Sequence, residues 1–231
     1  MTCTLNDSPA AAVLERLYAD ADRQREAAQN DAGRHAPPPP DATPLERFTA
    51  RKDQYMPIDP PFGRLLYALV RATRPGVVVE FGTSFGISTI YLAAALRDTG
   101  HGRLITTEFI ESKADTARQN LEDAGLVDLV DFRVGDAINT LQQPFSAAGN
   151  DHDRVDLLFL DGEKSMYRDV VRLLEPRMDP GGLIVSDNTD QEGAKTYLDH
   201  VRHPGHGYVS TPLLTPGGDK HHSGHEVSVR L

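Results

Sequence analysis

The sequence predicts an α/β domain built around a doubly wound, mostly parallel sheet. From residue 77 onward, short runs of β-branched and other apolar residues alternate with longer segments of helical spacing, a pattern typical of βαβ units. The first run leads into a glycine-rich loop, and several later runs end in acidic residues. A chain of 231 residues has room for one such domain with a well-buried core.

The predicted elements follow one another in strict alternation. The strands comprise residues 77–81, 103–108, 129–134, 155–160 and 183–186. The helices between them comprise residues 87–97, 111–124, 137–141 and 166–177, each ended by Gly, Pro or polar residues. Two later runs, residues 207–211 and 225–231, predict an antiparallel hairpin at the edge of the sheet.

The region before the first strand divides into a helix and a spacer. Apolar residues at helical spacing follow the start signal Ser8-Pro9 and predict a helix over residues 10–30. The prolines of residues 37–40 cannot continue a helix and favour an extended spacer. We therefore assign residues 1–36 to an N-terminal helical segment, 37–43 to a proline-rich spacer and 44–231 to the main domain.

Composition narrows the classes of partner. The net charge of −10 disfavours nucleic acid, whose backbone requires clustered Lys and Arg. No apolar run approaches the roughly 20 residues that cross a bilayer, and the first residues lack the pattern of a secretory leader. The single cysteine, Cys3, cannot form an internal disulfide. We expect a cytoplasmic protein that acts on a small molecule and binds no membrane.

The glycine-rich loop indicates a nucleoside-like ligand. The first predicted strand ends in Glu80-Phe81-Gly82-Thr83-Ser84-Phe85-Gly86, and a predicted helix follows directly. Open α/β sheets bind nucleotide-like ligands at such a turn, beyond the carboxyl ends of the strands. The spacing G-x-x-x-G differs from the G-x-G-x-x-G of dinucleotide folds, and no phosphate-binding lysine follows. A tight turn without a ligand is the alternative.

Carboxylates also follow the next two strands. Glu108 ends the second predicted strand, where an acidic residue can accept both hydroxyls of a ribose. Asp136 and Ala137 follow the third strand, in a place suited to the edge of an adenine ring. For each carboxylate taken alone, the alternative is a helix N-cap.

Three oxygen donors follow the fourth and fifth strands. Asp161 comes directly after one strand, and Asp187 and Asn188 come after the other. Because adjacent strands lie about 5 Å apart, these side chains can converge. Oxygen donors without sulfur or imidazole suit a hard cation such as Mg²⁺. The alternative is that both aspartates cap the helices that follow them.

Lys164 lies shortly after Asp161, at the mouth of the same predicted cleft. A nearby divalent cation disfavours the ammonium form, so such a lysine can lose its proton and act as a general base. The alternative is a solvated surface lysine. The position of Lys164 beside the candidate ligands favours the catalytic role.

Together these segments resemble the cation-dependent O-methyltransferases, the group that contains catechol O-methyltransferase and the caffeoyl-CoA O-methyltransferases. The resemblance extends from about Met56 to the C-terminus. The segments that carry it are Met56-Pro57-Ile58-Asp59-Pro60, the loop from Glu80 to Ser88, Glu108, Gly135-Asp136-Ala137, the Asp-x-x-Lys-x-x-Tyr pattern of Asp161, Lys164 and Tyr167, and Asp187-Asn188-Thr189.

The resemblance implies S-adenosylmethionine as the cofactor and Mg²⁺, or else Mn²⁺ or Ca²⁺, as the metal. It also implies a homodimer and a class I methyltransferase (Rossmann-like) fold, whose seven-stranded sheet has an antiparallel last strand. The implied metal ligands are Asp161, Asp187 and Asn188, with Asp161 also touching the cofactor. The residues implied to bind the cofactor are Ile58, Glu80, Gly82, Thr83 and Ser88 for its methionine part, Glu108 for the ribose, and Asp136 with Ala137 for the adenine.

In this family two vicinal oxygens of the acceptor chelate the metal, and the resemblance implies that Lys164 removes one proton before the oxygen attacks the sulfonium methyl. The chain departs from the catechol and caffeoyl-CoA enzymes at Glu163 and contains no tryptophan. We therefore predict a small catechol-like or otherwise vicinally hydroxylated acceptor rather than bare catechol itself. The alternatives are O-methylation of a hydroxylated uridine in tRNA and a non-catalytic protein that binds S-adenosylmethionine.

Six histidines lie near the end of the chain, in segments rich in Gly and Pro. We predict a mobile, solvated loop for them, because the breaks at Pro204, Gly205 and Gly207 interrupt any helical ligand spacing. The alternatives are a second metal site and a loop that recognises the substrate. These histidines are His200, His203, His206, His221, His222 and His225.

Overall fold

The computed structural model of the chain describes residues 3–6, 9–30, 42–145, 153–214 and 224–231. Ser8, the proline run 37–40, His221 and His222 lie outside the described residues, as do the predictions made for them. No helix within the described ranges is long and apolar enough to cross a membrane.

One sheet of seven strands organises the molecule. The strand order is β3-β2-β1-β4-β5-β7-β6, and β7 is antiparallel to both of its neighbours while the other pairings are parallel. The predicted antiparallel hairpin at the sheet edge is confirmed. The strands are β1 (Val77–Phe81), β2 (Arg103–Glu108), β3 (Val130–Val134), β4 (Leu157–Leu160), β5 (Leu183–Ser186), β6 (Tyr208–Leu214) and β7 (Gly224–Arg230).

The strand bounds follow the sequence prediction closely. β1, β2 and β5 begin and end where predicted, whereas β3 begins one residue later because a 3₁₀ turn, Val127–Leu129, precedes it. β4 begins two residues later than predicted, and just before it the Asp156 carboxylate accepts the backbone N–H of Gly76 at 2.8 Å. β6 continues through Pro212, which an edge strand tolerates because one of its sides needs no N–H donors.

Helices cover both faces of the sheet. α1, α3, α4 and α5 supply buried residues to one apolar cluster, and α6, α7 and α8 supply the other. Within β1, Val78 belongs to the first cluster while Val77 and Val79 belong to the second, as expected for alternating side chains. The doubly wound α/β fold is confirmed. The helices are α1 (Pro9–Asn30), α2 (Pro44–Ala50), α3 (Pro60–Thr73), α4 (Ile87–Thr99), α5 (Glu111–Asp123), α6 (Ala137–Thr140), α7 (Tyr167–Leu174) and α8 (Lys195–Val201).

Helices α2, α3 and α8 were absent from the sequence prediction. The start of α3 does carry ordinary signals, since Asp59 Oδ1 accepts the N–H of Phe62 at 2.7 Å and Pro60 occupies the first turn. Phe62, Leu66 and Val70 then form its buried face. α7 is shorter than predicted because its two ends tighten into the 3₁₀ turns Lys164–Met166 and Glu175–Arg177.

The N-terminal helix α1 packs against α4 and α5. Its Leu17 is fully buried in the first cluster. The side chain of Gln24 accepts the N–H of Tyr55 at 2.7 Å and donates to the carbonyl of Asp53 at 2.7 Å, and Tyr18 donates to the carbonyl of Ile58 at 3.1 Å. Helix α1 therefore holds the segment that leads into Ile58.

Shortening Leu17 to Ala should lower the free energy of unfolding by about 2–5 kcal/mol, because a fully buried leucine leaves a cavity when truncated. Denaturant unfolding of Leu17→Ala measures this change, and Glu15→Ala, an exposed position on the same helix, is the matched control. Equal stabilities of the two variants would contradict the packing of α1 on the core.

Candidate active site

The tips of β4 and β5 bring Asp161 and Asp187 side by side. Leu160 and Ser186 are paired in the parallel register, and each aspartate is the next residue on its strand. The Asp187 N–H donates to the carbonyl of Leu160 at 2.9 Å, and the Asp161 N–H donates to the carbonyl of Phe81 at 2.8 Å. The backbone ladder therefore continues up to both carboxylates.

The Asp161 carboxylate is paired with Lys164. The Lys164 Nζ lies 3.1 Å from Asp161 Oδ1, and the exposed fractions of the two side chains are only 11% and 15%. Burial raises the pKa of Asp161 to about 8; Lys164 opposes that rise and the neighbouring Asp187 adds to it. Asp161 faces its own lysine and caps no helix, so the helix-cap alternative does not hold for it.

Three nitrogens surround one oxygen of Asp187. The backbone N–H and the side-chain amide of Asn188 donate to Oδ1 at 2.7 and 3.1 Å. His225 Nδ1 lies 2.8 Å from the same oxygen. Asn188 adopts a left-handed backbone conformation, φ 51°, which turns its own amide back onto Asp187. Asp187 caps no helix either.

The donor set fits a hard cation. Both carboxylates are largely withdrawn from solvent, and each has one oxygen held by nitrogens. Among the described residues, no hydrogen-bond partner is found for the second oxygen of either one. Asn188 adds an amide oxygen, and such oxygens suit Mg²⁺. No group of three or more His, Cys, Asp or Glu side chains with metal-binding geometry occurs in the described part of the chain, so acceptor or water oxygens would have to complete the coordination.

The Tyr167 hydroxyl bridges the ends of β4 and β5. Its hydroxyl lies 2.9 Å from the carbonyl of Leu160 and 3.1 Å from that of Asp187, and burial raises its pKa well above the usual range. Lys164 Nζ lies 5.3 Å from the centre of the Tyr167 ring. The tyrosine therefore fixes the spacing of both aspartates and also supports the lysine.

The glycine-rich loop touches the backbone of the Asp161 loop directly. Gly82 has φ 104°, and a Cβ placed there would lie 2.7 Å from the backbone carbon of Asp161. Thr83 is buried, and its Oγ1 lies 2.5 Å from Thr106 Oγ1. Only glycine fits at position 82, because the conformation and the close approach both exclude a side chain.

Glu80 in β1 and Ser88 in α4 contact each other across the glycine-rich loop. Ser88, Thr89 and Thr106 donate to the two Glu80 oxygens, each at 2.6 Å. Burial raises the pKa of Glu80, and the three hydroxyls oppose the rise. The Glu80 carboxylate thus stabilises the loop. Ile58 is buried just before α3. Contact with a cofactor stays a prediction for both residues.

The predicted ribose and adenine residues lie at the neighbouring strand tips. Glu108 accepts the N–H groups of Ser84 and Ile110 at 2.8 and 2.9 Å. Asp136 accepts the N–H of Ile138 at 2.9 Å and caps α6, whose first residue is the buried Ala137. The helix-cap alternative therefore describes the Asp136 side chain, and the cofactor contacts of Glu108, Asp136 and Ala137 stay predictions.

Sequence reasoning missed the buried Lys113 of α5. Its Nζ lies 3.3 Å from Ser84 Oγ and 3.4 Å from the carbonyl of Gln54, and burial lowers its pKa although Glu108 opposes the change. A lysine on a helix is normally solvated. Its helical spacing with Ala117 on the buried face of α5 was the available signal.

The prediction of a mobile, solvated loop is wrong for His225 and His200. His225 lies in β7, is 4% exposed and stacks on Phe62 with ring centres 3.8 Å apart and an interplanar angle of 9°. His200 lies in α8, with Nε2 2.5 Å from Glu175 Oε1. His203 and His206 follow α8 and are exposed. His225 is ordered by Asp187 and Phe62, and His200 is ordered by Glu175. These partners are distant in sequence, so composition alone assigns the two histidines to a loop.

Comparison with known proteins agrees with this arrangement. The family described as "Methyltransferase domain" matches residues 79–189. A catechol O-methyltransferase from Niastella koreensis is 34% identical over 59% of this chain and 59% of its own length, less than two thirds of that protein. The catechol O-methyltransferase of Mycobacterium tuberculosis is 33% identical over 71% of this chain and 74% of that protein. The O-methyltransferase from Bacillus cereus, solved in complex with SAH, has a TM-score of 0.70 at 26% identity and covers 95% of this chain and 91% of that chain.

Replacing Gly82 by Ala should destabilise the protein more than replacing Gly100, although both glycines have positive φ. An added Cβ at Gly100 meets nothing within 4 Å, so Gly100→Ala incurs only the left-handed backbone cost of about 1–2 kcal/mol. Gly82→Ala adds a clash with the Asp161 backbone, worth about 1–3 kcal/mol more. Denaturant unfolding of both variants measures the difference, and equal losses would contradict the close approach.

Proposed function

Since the chain belongs to the O-methyltransferase family of the catechol and caffeoyl-CoA enzymes, we propose that it transfers the methyl group of S-adenosylmethionine to a hydroxyl of a small, vicinally hydroxylated acceptor. The observation that carries this proposal is the juxtaposition of Asp161, Lys164 and Asp187 at adjoining strand tips. One lysine amine beside two carboxylates with available oxygens supplies a base next to a cation site.

The cofactor is assigned to the tips of β1, β2 and β3. The strand order with an antiparallel β7 is that of a class I methyltransferase, and ligands of such sheets bind beyond the carboxyl ends of the strands. Gly82 and Thr83 border the Asp161 loop, and Glu108 presents a carboxylate near them. The exposed ring of Phe109, next to Glu108, offers an apolar surface on which a base can stack.

Asp161, Asp187 and Asn188 would hold the divalent metal. Support comes from their oxygen chemistry and from the environment of Asp161, whose pKa is raised first by burial and further by the neighbouring Asp187 carboxylate. When bound, a divalent cation supplies positive charge that lowers the pKa of an acceptor hydroxyl and orients its vicinal oxygens.

Lys164 is the proposed base. As the neutral amine, its Nζ takes the proton of the acceptor hydroxyl. The acceptor oxygen then forms a bond to the methyl carbon while the carbon–sulfur bond breaks, which leaves a methyl ether and S-adenosylhomocysteine. Solvent removes the proton from Lys164. Its contacts with Asp161 and the Tyr167 ring hold the amine beside the Asp161 carboxylate.

Glu163 supports a neutral acceptor. Its carboxylate accepts from the N–H and the hydroxyl of Ser165 at 3.4 and 3.1 Å, which ties it to the turn that carries Lys164. A negative charge on this turn favours a neutral acceptor over an anionic one. We therefore infer a small diol or catechol-like acceptor.

Chelation with EDTA should abolish methyl transfer, and Asp187→Asn should lower kcat/KM by at least about 100-fold, because both remove the charge that activates the acceptor. Transfer of radiolabelled methyl to a panel of catechols and vicinal diols provides the measurement. Asp169→Asn makes the same change at an exposed position of α7 and should retain full activity. Transfer that persists in EDTA would exclude the metal role.

Lys164→Gln should lower kcat by about 10²–10⁴-fold, the usual contribution of a general base. The affinity for S-adenosylhomocysteine should change little, because Lys164 is assigned to the acceptor side of the cleft. Steady-state kinetics and calorimetric titration test the two statements, with the exposed Lys52→Gln as the control. An unchanged kcat in Lys164→Gln would refute its role as the base.

A further inference from the structure

We propose that His225 is a positioning residue that holds one oxygen of the Asp187 carboxylate and so leaves the other oxygen available to a divalent cation. This inference rests on the proposed function, because it assigns Asp187 to a divalent cation. The geometry that carries it is the contact between His225 Nδ1 and Asp187 Oδ1, 2.8 Å apart and almost fully buried.

The position of His225 follows from strand pairing. β5 and β7 are antiparallel, and Ser186 pairs with Glu226 at the end of the ladder. Asp187 follows Ser186 and His225 precedes Glu226, so these two residues face each other just beyond the end of β5. Two residues far apart in sequence are thus brought into register by the last strand of the sheet.

Stacking on Phe62 fixes the plane of the imidazole. The two rings are nearly parallel, with centres 3.8 Å apart, and Phe62 is itself buried in α3, 6.0 Å from the ring of Phe159. A ring held on one face by an immobile aromatic side chain has little freedom to rotate about its χ angles. The stacking therefore holds His225 Nδ1 in a fixed position beside Asp187.

The contact also determines which Asp187 oxygen is available. The two Asn188 donors and His225 Nδ1 all meet Oδ1. Among the described residues, Oδ2 of Asp187 has no such partner. A carboxylate that is held through one oxygen keeps its other oxygen in a fixed direction. Groups that orient a metal ligand in this way raise the affinity of the site for the ion.

A direct ligand role for His225 is less consistent with these contacts. Its Nδ1 lies beside a carboxylate oxygen, and no group of three His, Cys, Asp or Glu side chains with metal-binding geometry is found in the described ranges. Packing alone would not require a nitrogen either, because phenylalanine could stack on Phe62 equally well.

Two variants separate the nitrogen from the ring. His225→Phe keeps an aromatic ring against Phe62 and removes the nitrogen, whereas His225→Asn keeps a side-chain donor near the place of Nδ1 and removes the ring. Calorimetric titration of each protein with Mg²⁺, and separately with S-adenosylhomocysteine, measures both affinities. Thermal unfolding of each variant reports its folding.

We expect His225→Phe to raise the Kd for Mg²⁺ by about 10-fold or more, His225→Asn to stay within about threefold of the parent chain, and the Kd for S-adenosylhomocysteine to be unchanged in both. Unaltered Mg²⁺ affinity in His225→Phe would overturn the inference, and so would an equal loss in both variants, which assigns the effect to ring packing. If His225→Phe does not fold, His225→Leu provides the variant without nitrogen. If the parent chain binds no Mg²⁺, both the proposed metal site and this inference fail. If the parent chain binds Mg²⁺ and the Kd does not change in the variants at position 225, only this inference fails.

Discussion

Two carboxylates held side by side, mostly withdrawn from water, are the constraint around which the carboxyl edge of this sheet is organised. Buried like charges cost several kcal/mol unless they are compensated. Lys164 compensates Asp161, and the amides of Asn188 together with His225 compensate Asp187. These groups come from three separate segments, so the carboxylate pair sets the positions of several parts of the chain at once.

Close backbone contacts make that arrangement rigid. The approach of Gly82 to the Asp161 backbone leaves no room for a side chain, and Gly162 likewise faces the ring of Phe81. Tyr167 reaches the carbonyls of both strand tips with one hydroxyl. The glycine-rich loop and the proposed metal ligands are therefore held in one rigid arrangement, which is the preorganisation that in-line transfer between two bound molecules requires.

The sequence was sufficient for the features that depend on local pattern. The alternating strands, the loop at Gly82 and the carboxylates at the strand ends follow from periodicity and from the rule that parallel strands end at one edge. The burial of Lys113 and of His225 was not predicted, because it depends on contacts with residues far away in the chain. The helix α3 was not predicted, although its N-cap at Asp59 and the proline in its first turn are ordinary local signals.

The candidate site includes a residue of β7, which is synthesised after the other strands of the sheet. Asp161, Lys164 and Asp187 are all synthesised before β7, yet the imidazole that faces Asp187 arrives only with that strand. β7 also lies between β5 and β6, so the sheet stays open beside β5 until it is inserted. A nascent chain that has been synthesised only as far as β6 therefore contains Asp161, Lys164 and Asp187 but has an incomplete sheet next to them.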